Sequence, residues 1–161
     1  MNFEHLIEIN SDSLAVEDLS RHQLWQGLVL RAEKPELTVV ALDECRILER
    51  GEDSLRRELR FGEFRIRDQV RFVPMGYVIY DVEATPQTPA SSLTMAIEEP
   101  TAGHLFVRFT YASAASEGEA EVDRFYLDHL KQAYVQADID TISTIRRLAR
   151  EGALDSPGTF S

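Results

Sequence analysis

Apolar and polar residues alternate from Phe3 to Ile9, with Phe3, His5, Ile7 and Ile9 on one side and Glu4, Leu6 and Glu8 on the other. This period of two predicts a first strand over 3–9. The period then lengthens. Ser20 stands three residues before Gln23 in SRHQ, the spacing of a capping box, and Leu24, Trp25, Leu28 and Ala32 follow on one helical face. Lys34-Pro35 closes that helix, and Pro35 opens a short second one through Val40. Alternating segments broken by Gly, Pro and Ser then fill 42–50, 54–61, 64–73, 77–85, 92–98 and 104–112, predicting six antiparallel strands with short links.

After Ser116 the pattern becomes helical again. Ser116 and Glu119 have capping-box spacing, Glu117, Glu119, Glu121 and Asp123 crowd the start, and Arg146, Arg147 and Arg150 crowd the end. That charge order suits the macrodipole of one helix of about 30 residues, with Gly152 at its C-cap. Its predicted apolar face is Val122, Tyr126, Leu130, Ala133, Ala137, Ile145 and Leu148, flanked by Phe125 and Tyr134. A sheet with a polar outer face must cover its inner one, and the long helix is the large apolar surface left to do so. The expectation is an α+β fold in which a seven-stranded antiparallel sheet wraps the C-terminal helix, with a cavity between the layers. One domain spans 1–152, and a flexible tail spans 153–161.

Turn chemistry fixes the register of the central strands. Gly62-Glu63 fits a two-residue type II′ turn, which sets Phe61 against Phe64, Leu59 against Ile66, Arg57 against Asp68 and Leu55 against Val70. Pro74-Met75-Gly76 forms the next turn, with Gly76 at its left-handed position. It sets Phe72 against Val78, Val70 against Tyr80 and Asp68 against Val82. The two turns agree on one apolar face, which a one-residue slip would invert. The other face carries Arg56, Glu58, Arg60, Arg65, Arg67 and Arg71, mostly beside an acid or amide, in contacts worth roughly 0.2–1 kcal/mol each. Arg60 and Arg65 lack an opposite-strand acid and are left to face a partner's carboxylates, as in a homodimer.

Arg57 and Asp68 fall on the inward face among Leu, Val, Ile and Phe, where charges survive only when paired and hydrogen-bonded. They read either as a structural ion pair or as the polar anchor of an apolar cavity. In the second case Arg57 holds a ligand carboxylate or carbonyl.

Composition narrows the partners. Seventeen basic against twenty-eight acidic residues give a net charge of −11, which repels phosphate backbones and anionic lipid heads. Neither nucleic acid nor a membrane is expected, and the arginines of the hairpin read as a solvated, edge-protecting surface. The 161 residues, 43% of them hydrophobic, suit one globular domain. Cys45 is the single cysteine, so no internal disulfide forms, and among the acids of DECRIL its thiol is expected to be inert. MNFEHLIEIN has no signal-peptide pattern, and no apolar stretch approaches the roughly 18 residues of a membrane span, so a reducing cytoplasm is expected.

No reaction is spelled out. His5, His22, His104 and His129 are scattered without metal-ligand spacing, and no GxSxG, P-loop or GxGxxG is present, so neither metal nor cofactor is expected. His129 falls near the inner edge of the long helix, as a ligand donor or a core histidine. Asp138 and Asp140 in DID face different sides and read as solvated or structural. Tyr80, Phe109, Tyr111, Tyr126 and Tyr134 are candidates to line a cavity, in which buried hydroxyls need partners; they serve equally as plain core.

The stretches FEHLIEIN, HQLWQGLVLRAEKPE, RILERGEDSLRRELRFGEFRIRDQVRF, SLTMAIEEP, LFVRFTY and ADIDTISTIRRLA together resemble the AtaL-like family. This is a bacterial and fungal group of the SRPBCC superfamily, the START and birch-pollen-allergen helix-grip proteins. The resemblance covers residues 2–150 and follows the element order derived above. It implies the helix-grip fold with an internal ligand cavity, and carries over no catalytic residues. The superfamily includes lipid and hormone carriers, polyketide cyclases and activators of a chaperone ATPase. The Gly-rich loop of the plant allergens has no counterpart in ERGEDS at 49–54, which holds Gly51 alone.

Three functions follow as expectations. The first is a non-catalytic binder of a small hydrophobic ligand with one polar end. Arg57 and Asp68 would anchor that end, with Leu59, Ile66, Val70, Tyr80, Met95 and Phe109 from the sheet and Tyr126, His129, Leu130 and Tyr134 from the helix around it. The second is a cyclase- or hydratase-like enzyme with Asp68 as base, Arg57 as oxyanion partner and His129 or Tyr126 as acid. The third is a homodimer formed through the outer arginine face.

Overall fold

The computed structural model describes residues 1–11, 16–113 and 121–155. Seven strands form one antiparallel sheet: β1 (Asn2–Glu8), β2 (Glu44–Arg50), β3 (Ser54–Phe61), β4 (Phe64–Val73), β5 (Tyr77–Val82), β6 (Ser91–Thr101) and β7 (His104–Ser113). Two helices, α1 (Arg21–Glu33) and α2 (Glu121–Arg150), complete the fold, with a single 3₁₀ turn over Pro35–Leu37 in place of the second helix read through Val40. The spatial order β1-β7-β6-β5-β4-β3-β2 makes β2 to β7 a meander and sends β1 to the far edge beside β7.

Local chemistry sets these elements as the sequence implies. Ser20 caps α1 by accepting from the Gln23 backbone, and the Gln23 side chain returns the bond to the Ser20 backbone. Every pairing derived from the two turns is present, Arg57 opposite Asp68 among them. Gly62 has φ +64°, matching the first position of the hairpin turn. The second turn departs from expectation, because Met75 and not Gly76 takes the left-handed conformation, at φ +63°. The Gly76 N–H donates to the Val73 carbonyl at 2.9 Å, with Pro74 second and Met75 third in the turn, the arrangement of type II.

α2 ends in a Schellman motif. Gly152 has φ +77°, its N–H donates to the Ala149 carbonyl, and the Ala153 N–H donates to the Leu148 carbonyl. The tail boundary at 152 cuts too early, since Leu154 is buried in the core; residues 156–161 lie outside the described residues, as does the Ser116–Glu119 capping box.

The apolar face of α2 is also rotated from the one predicted. Ile145 and Leu148 of that face are buried, but Ala133 and Ala137 are exposed. The other buried positions among the described residues of the helix are Asp138, Thr141 and Ile142; the Val122 side chain lies outside the described residues. A polar residue occupies the buried stripe, so a search for apolar spacing slides round the helix to the nearby alanines.

The core lies where α1 and the C-terminal half of α2 cover the sheet. Leu24, Trp25 and Leu28 meet Ile142, Ile145 and Leu148 over Val70, Phe72, Val78, Met95 and Phe109. Gly27 sets the approach of the two helices: a Cβ there would stand 2.5 Å from Ile145 Cγ2. Gly27→Ala gains about 1 kcal/mol of helix propensity but overpacks a buried contact at a cost of roughly 1–3 kcal/mol. A lower urea midpoint is expected, and Ile145→Ala, which removes the Cγ atoms nearest that Cβ, should cost less in the Gly27→Ala background than in the parent. Strictly additive effects would mean that the helices do not meet there.

Candidate functional site

Successive rows of inward side chains cross the sheet, and their burial changes from row to row. Phe72, Val78, Met95 and Phe109 are paired in one row and belong to the core. Val70, Tyr80, Leu93 and Tyr111 form the next. Beyond it come Arg57, Asp68, Val82 and Ser91, and then Leu59 beside Ile66. From Tyr80 outward these residues line a pocket of about 280 Å³, which Arg31 of α1 and Tyr134 of α2 help to enclose.

The Arg57–Asp68 pair stands at the boundary between core and pocket. Arg57 is 3% exposed and Asp68 6%. Nε of Arg57 donates to Oδ1 at 2.9 Å and Nη2 to Oδ2 at 2.6 Å, a two-pronged contact across β3 and β4. Nη1 donates to the Ala32 carbonyl at 2.7 Å. That carbonyl sits in the last turn of α1, where the helix itself supplies no donor, so Arg57 fastens helix to sheet. Burial works to lower the Arg57 pKa, but the hydrogen bonds and charge of Asp68 outweigh it and hold the guanidinium above its ordinary value. Burial likewise pushes the half-buried Cys45 thiol up, away from the thiolate.

Tyr80 lies against this pair. The Arg57 and Arg31 guanidinium carbons stand 5.2 and 5.0 Å from its ring centroid. The residue is 3% exposed, yet its hydroxyl has no hydrogen-bond partner among the described residues, and neither has Nε of Arg31.

A second polar cluster was not foreseen as a unit. Asp138 is 0% exposed, and its carboxylate accepts from the Tyr111 hydroxyl at 2.7 and 2.8 Å. Nε2 of His5 lies 2.7 Å from the same carboxylate, with its ring stacked on Phe109. Tyr111 in turn stacks on Tyr134, with centroids 4.0 Å apart, and both rings line the pocket. Burial raises the Asp138 pKa despite the opposing hydrogen bonds from Tyr111 and His5. Burial, together with the Asp138 charge and hydrogen bond, pushes Tyr111 well above the ordinary phenol range, and burial also raises Tyr134. The signal for this cluster was available: His5 is polar on the inward parity of its strand, and Asp138 lies on the helical stripe of Tyr134, Ile142 and Ile145.

The predicted ligand residues therefore divide. Arg57, Leu59, Ile66, Asp68, Tyr80 and Tyr134 meet at the pocket. Val70, Met95 and Phe109 lie beneath the helices as core, and Leu130 is half-buried outside the lining. Tyr126 is 63% exposed, and His129 is exposed with its ring edge-on to Phe125. The rotation of α2 turns both away from the pocket.

The outer arginines are corrected too. Arg65 and Arg67 both donate to Glu58, holding its carboxyl below the usual range, and Arg60 lies 3.7 Å from Asp43. The acids reach Arg65 diagonally and Arg60 from the residue before β2, neither of which opposite-strand pairing reveals. No cluster of three or more His, Cys, Asp or Glu able to hold a metal occurs among the described residues, and no described helix is long and apolar enough to cross a membrane.

A family model described as AtaL, Acetylaranotin biosynthesis cluster protein L, matches residues 5–152. The chain belongs to the AtaL family. A comparison with curated protein sequences finds no significant match. Among solved structures, this AtaL-family chain resembles the di-domain ARO/CYC StfQ from the steffimycin biosynthetic pathway at TM-score 0.70 and 12% identity, covering 94% of itself and 51% of StfQ. It thus spans about half the length of that protein. The Zhui aromatase/cyclase from Streptomyces sp. R1128 matches at TM-score 0.64 and 16% identity, over 92% of this chain and 95% of that one. Ara h 8.0201 matches at TM-score 0.60 and 12% identity, over 94% and 98%. At such identities the likeness is one of fold. The seven-stranded antiparallel sheet with its long C-terminal helix is the helix-grip arrangement that these proteins share with the AtaL-family chain.

Proposed function

We propose that this AtaL-family protein is a non-catalytic binder of a small hydrophobic molecule with one polar end, held between the sheet and α2 in the cytoplasm. The observation that carries this reading is the division of the pocket wall. Leu59, Phe61, Ile66, Val82 and Leu93 make it apolar, while Arg31, Tyr80 and the Arg57–Asp68 pair make one region polar. The pair itself argues against Asp68 as a base, because both carboxylate oxygens already accept from the Arg57 guanidinium and neither is left to face a substrate proton. Tyr126 and His129, the candidate acids, lie away from the pocket.

Native mass spectrometry of protein purified from its own host tests the binder directly. A retained small molecule, lost when Leu59 and Ile66 are both changed to tryptophan to fill the pocket, is the expected result. Protein that carries nothing, and takes nothing from a broad library of lipids and aromatic compounds, would sink it.

A cyclase- or hydratase-like enzyme is the second reading, favoured by the chain His5–Asp138–Tyr111, which ends at the pocket wall. There Tyr111 would be the group presented to substrate, with Asp138 holding its proton. Turnover of a polyketide-like substrate that Tyr111→Phe abolishes without loss of binding would favour this reading over the first.

A further inference from the structure

The polar region of the pocket carries an imbalance of charge that the fold leaves open. Its charged side chains are two arginines, Arg31 and Arg57, and one carboxylate, Asp68; Met1 also lines the pocket, its ammonium donating to Ser113. Asp68 is engaged through both oxygens by Arg57. Arg31, in the last turn of α1, has no carboxylate within ion-pair distance among the described residues, and its Nε donor is buried without a partner. Its nearest engagement is the face of Tyr80, whose buried hydroxyl also lacks a partner. A cation without an ion-pair partner and a hydroxyl without a hydrogen-bond partner therefore line one pocket in a chain whose net charge is −11.

Leaving such groups unpaired in a folded protein costs stability, and a cation and a hydroxyl together match an anionic oxygen group. Resting on the binder reading above, we propose that the pocket selects a compact one- or two-ring apolar molecule bearing a carboxylate or phenolate. Arg31 serves as its counter-ion and the Tyr80 hydroxyl donates to it. The apolar body lies against Leu59, Ile66 and Leu93, and its ring faces the stacked Tyr111–Tyr134 pair. The volume of about 280 Å³ suits a molecule of this size, just below the roughly 300–1,000 Å³ of drug-sized ligand sites. The two guanidiniums divide the work: Arg57 is committed to Asp68 and α1, and Arg31 is left for the ligand.

A matched pair of probes separates charge from shape: 2-naphthoate and 2-naphthamide, titrated calorimetrically into the full chain. Naphthoate should bind roughly tenfold more tightly than naphthamide, as a charge-assisted contact predicts. Arg31→Met should erase that preference, with a parent-like circular dichroism spectrum and melting transition confirming that the variant is folded. Arg31→Lys should keep most of the preference. Tyr80→Phe should weaken naphthoate several-fold while raising the melting temperature of the unliganded protein, because it removes a buried hydroxyl that has no partner.

Equal binding of the two probes to the unaltered protein would overturn the proposal and leave the binder reading intact. A preference that survives Arg31→Met would overturn it likewise, and would assign Arg31 to the charge of Asp138, on which it acts from a distance. Failure of both probes to bind would count against the binder reading itself, and the proposal would fall with it.

Discussion

Replacing Asp68 by alanine is expected to lower the free energy of unfolding by about 3–5 kcal/mol, the cost of removing one side of a buried ion pair. The loss exceeds that of any neighbouring surface pair because Arg57 has nowhere else to go. Two of its three hydrogen bonds end on Asp68, and the third holds the Ala32 carbonyl at the end of α1. Without Asp68 the guanidinium is left charged in a site whose burial already works against its ionisation. Arg57→Leu combined with Asp68→Leu should recover most of the loss, since well-packed apolar residues replace a buried pair at little net cost. The residual deficit should reflect the unpaired Ala32 carbonyl, worth roughly 1–3 kcal/mol. Urea midpoints at constant slope measure all three proteins. A loss below about 1 kcal/mol for Asp68→Ala, the value of an exposed pair, would mean that water reaches the pair.

Asp138→Leu is expected to cost about 1.5–3 kcal/mol for each hydrogen bond to the carboxylate that is lost, with the Tyr111 hydroxyl left buried and unpaired. Asp138→Asn should behave differently, because its amide oxygen still accepts from Tyr111. The pH dependence separates the carboxyl's charge from its bonding. The folded pKa of Asp138 lies above its unfolded value, so the folded chain binds the proton more tightly. Its contribution to stability is therefore greatest below the unfolded value of about 4. It declines as pH rises from there through the raised folded pKa, where the carboxyl ionises in its buried site. Asp138→Asn should remove that decline, gaining on the parent protein as pH rises from 4 towards 7. Repeating the series in a His5→Gln background isolates the carboxyl from the ring beside it. Parallel pH profiles for parent and Asp138→Asn would show that the carboxyl pays no penalty for burial.

What the chain disclosed and what it withheld divide along physical lines. Turn geometry is local, so Gly62-Glu63 and Pro74-Met75-Gly76 fixed the pairing of β3, β4 and β5, and with it the contact between Arg57 and Asp68. The same locality explains the error at Met75: glycine is the usual residue for a positive φ, but Pro74 in the second position of a type II turn puts that angle on the third. Alternation also identified the inward parity of β1, β3, β4 and β5. It carries no information on how far along a strand the helices reach, so Val70, Met95 and Phe109 were placed in the same cavity as Leu59 and Ile66. Only the position of α1 and α2 divides one parity into dry core and pocket. Arg31 escaped attention because a helix face chosen by apolarity passes over the arginine at its edge. The burial of Asp138 was hidden for the same reason, a buried polar residue being invisible to a search for hydrophobic spacing.

The placement of β1 has a consequence for how the chain assembles. Each strand from β2 to β7 finds its neighbour next in sequence, whereas Glu4 of β1 meets Arg108 of β7 across 104 positions. At about 5–20 residues per second of synthesis, β1 leaves the ribosome at least about five seconds before its partner exists. During that wait it is a bare strand, open to pairing with any other. Glu4 and Glu8 alternate along it with its apolar residues, and charges so placed discourage association between strands. In the folded protein Glu4 then binds Arg108, so the side chain that guards the nascent strand later helps to seat it.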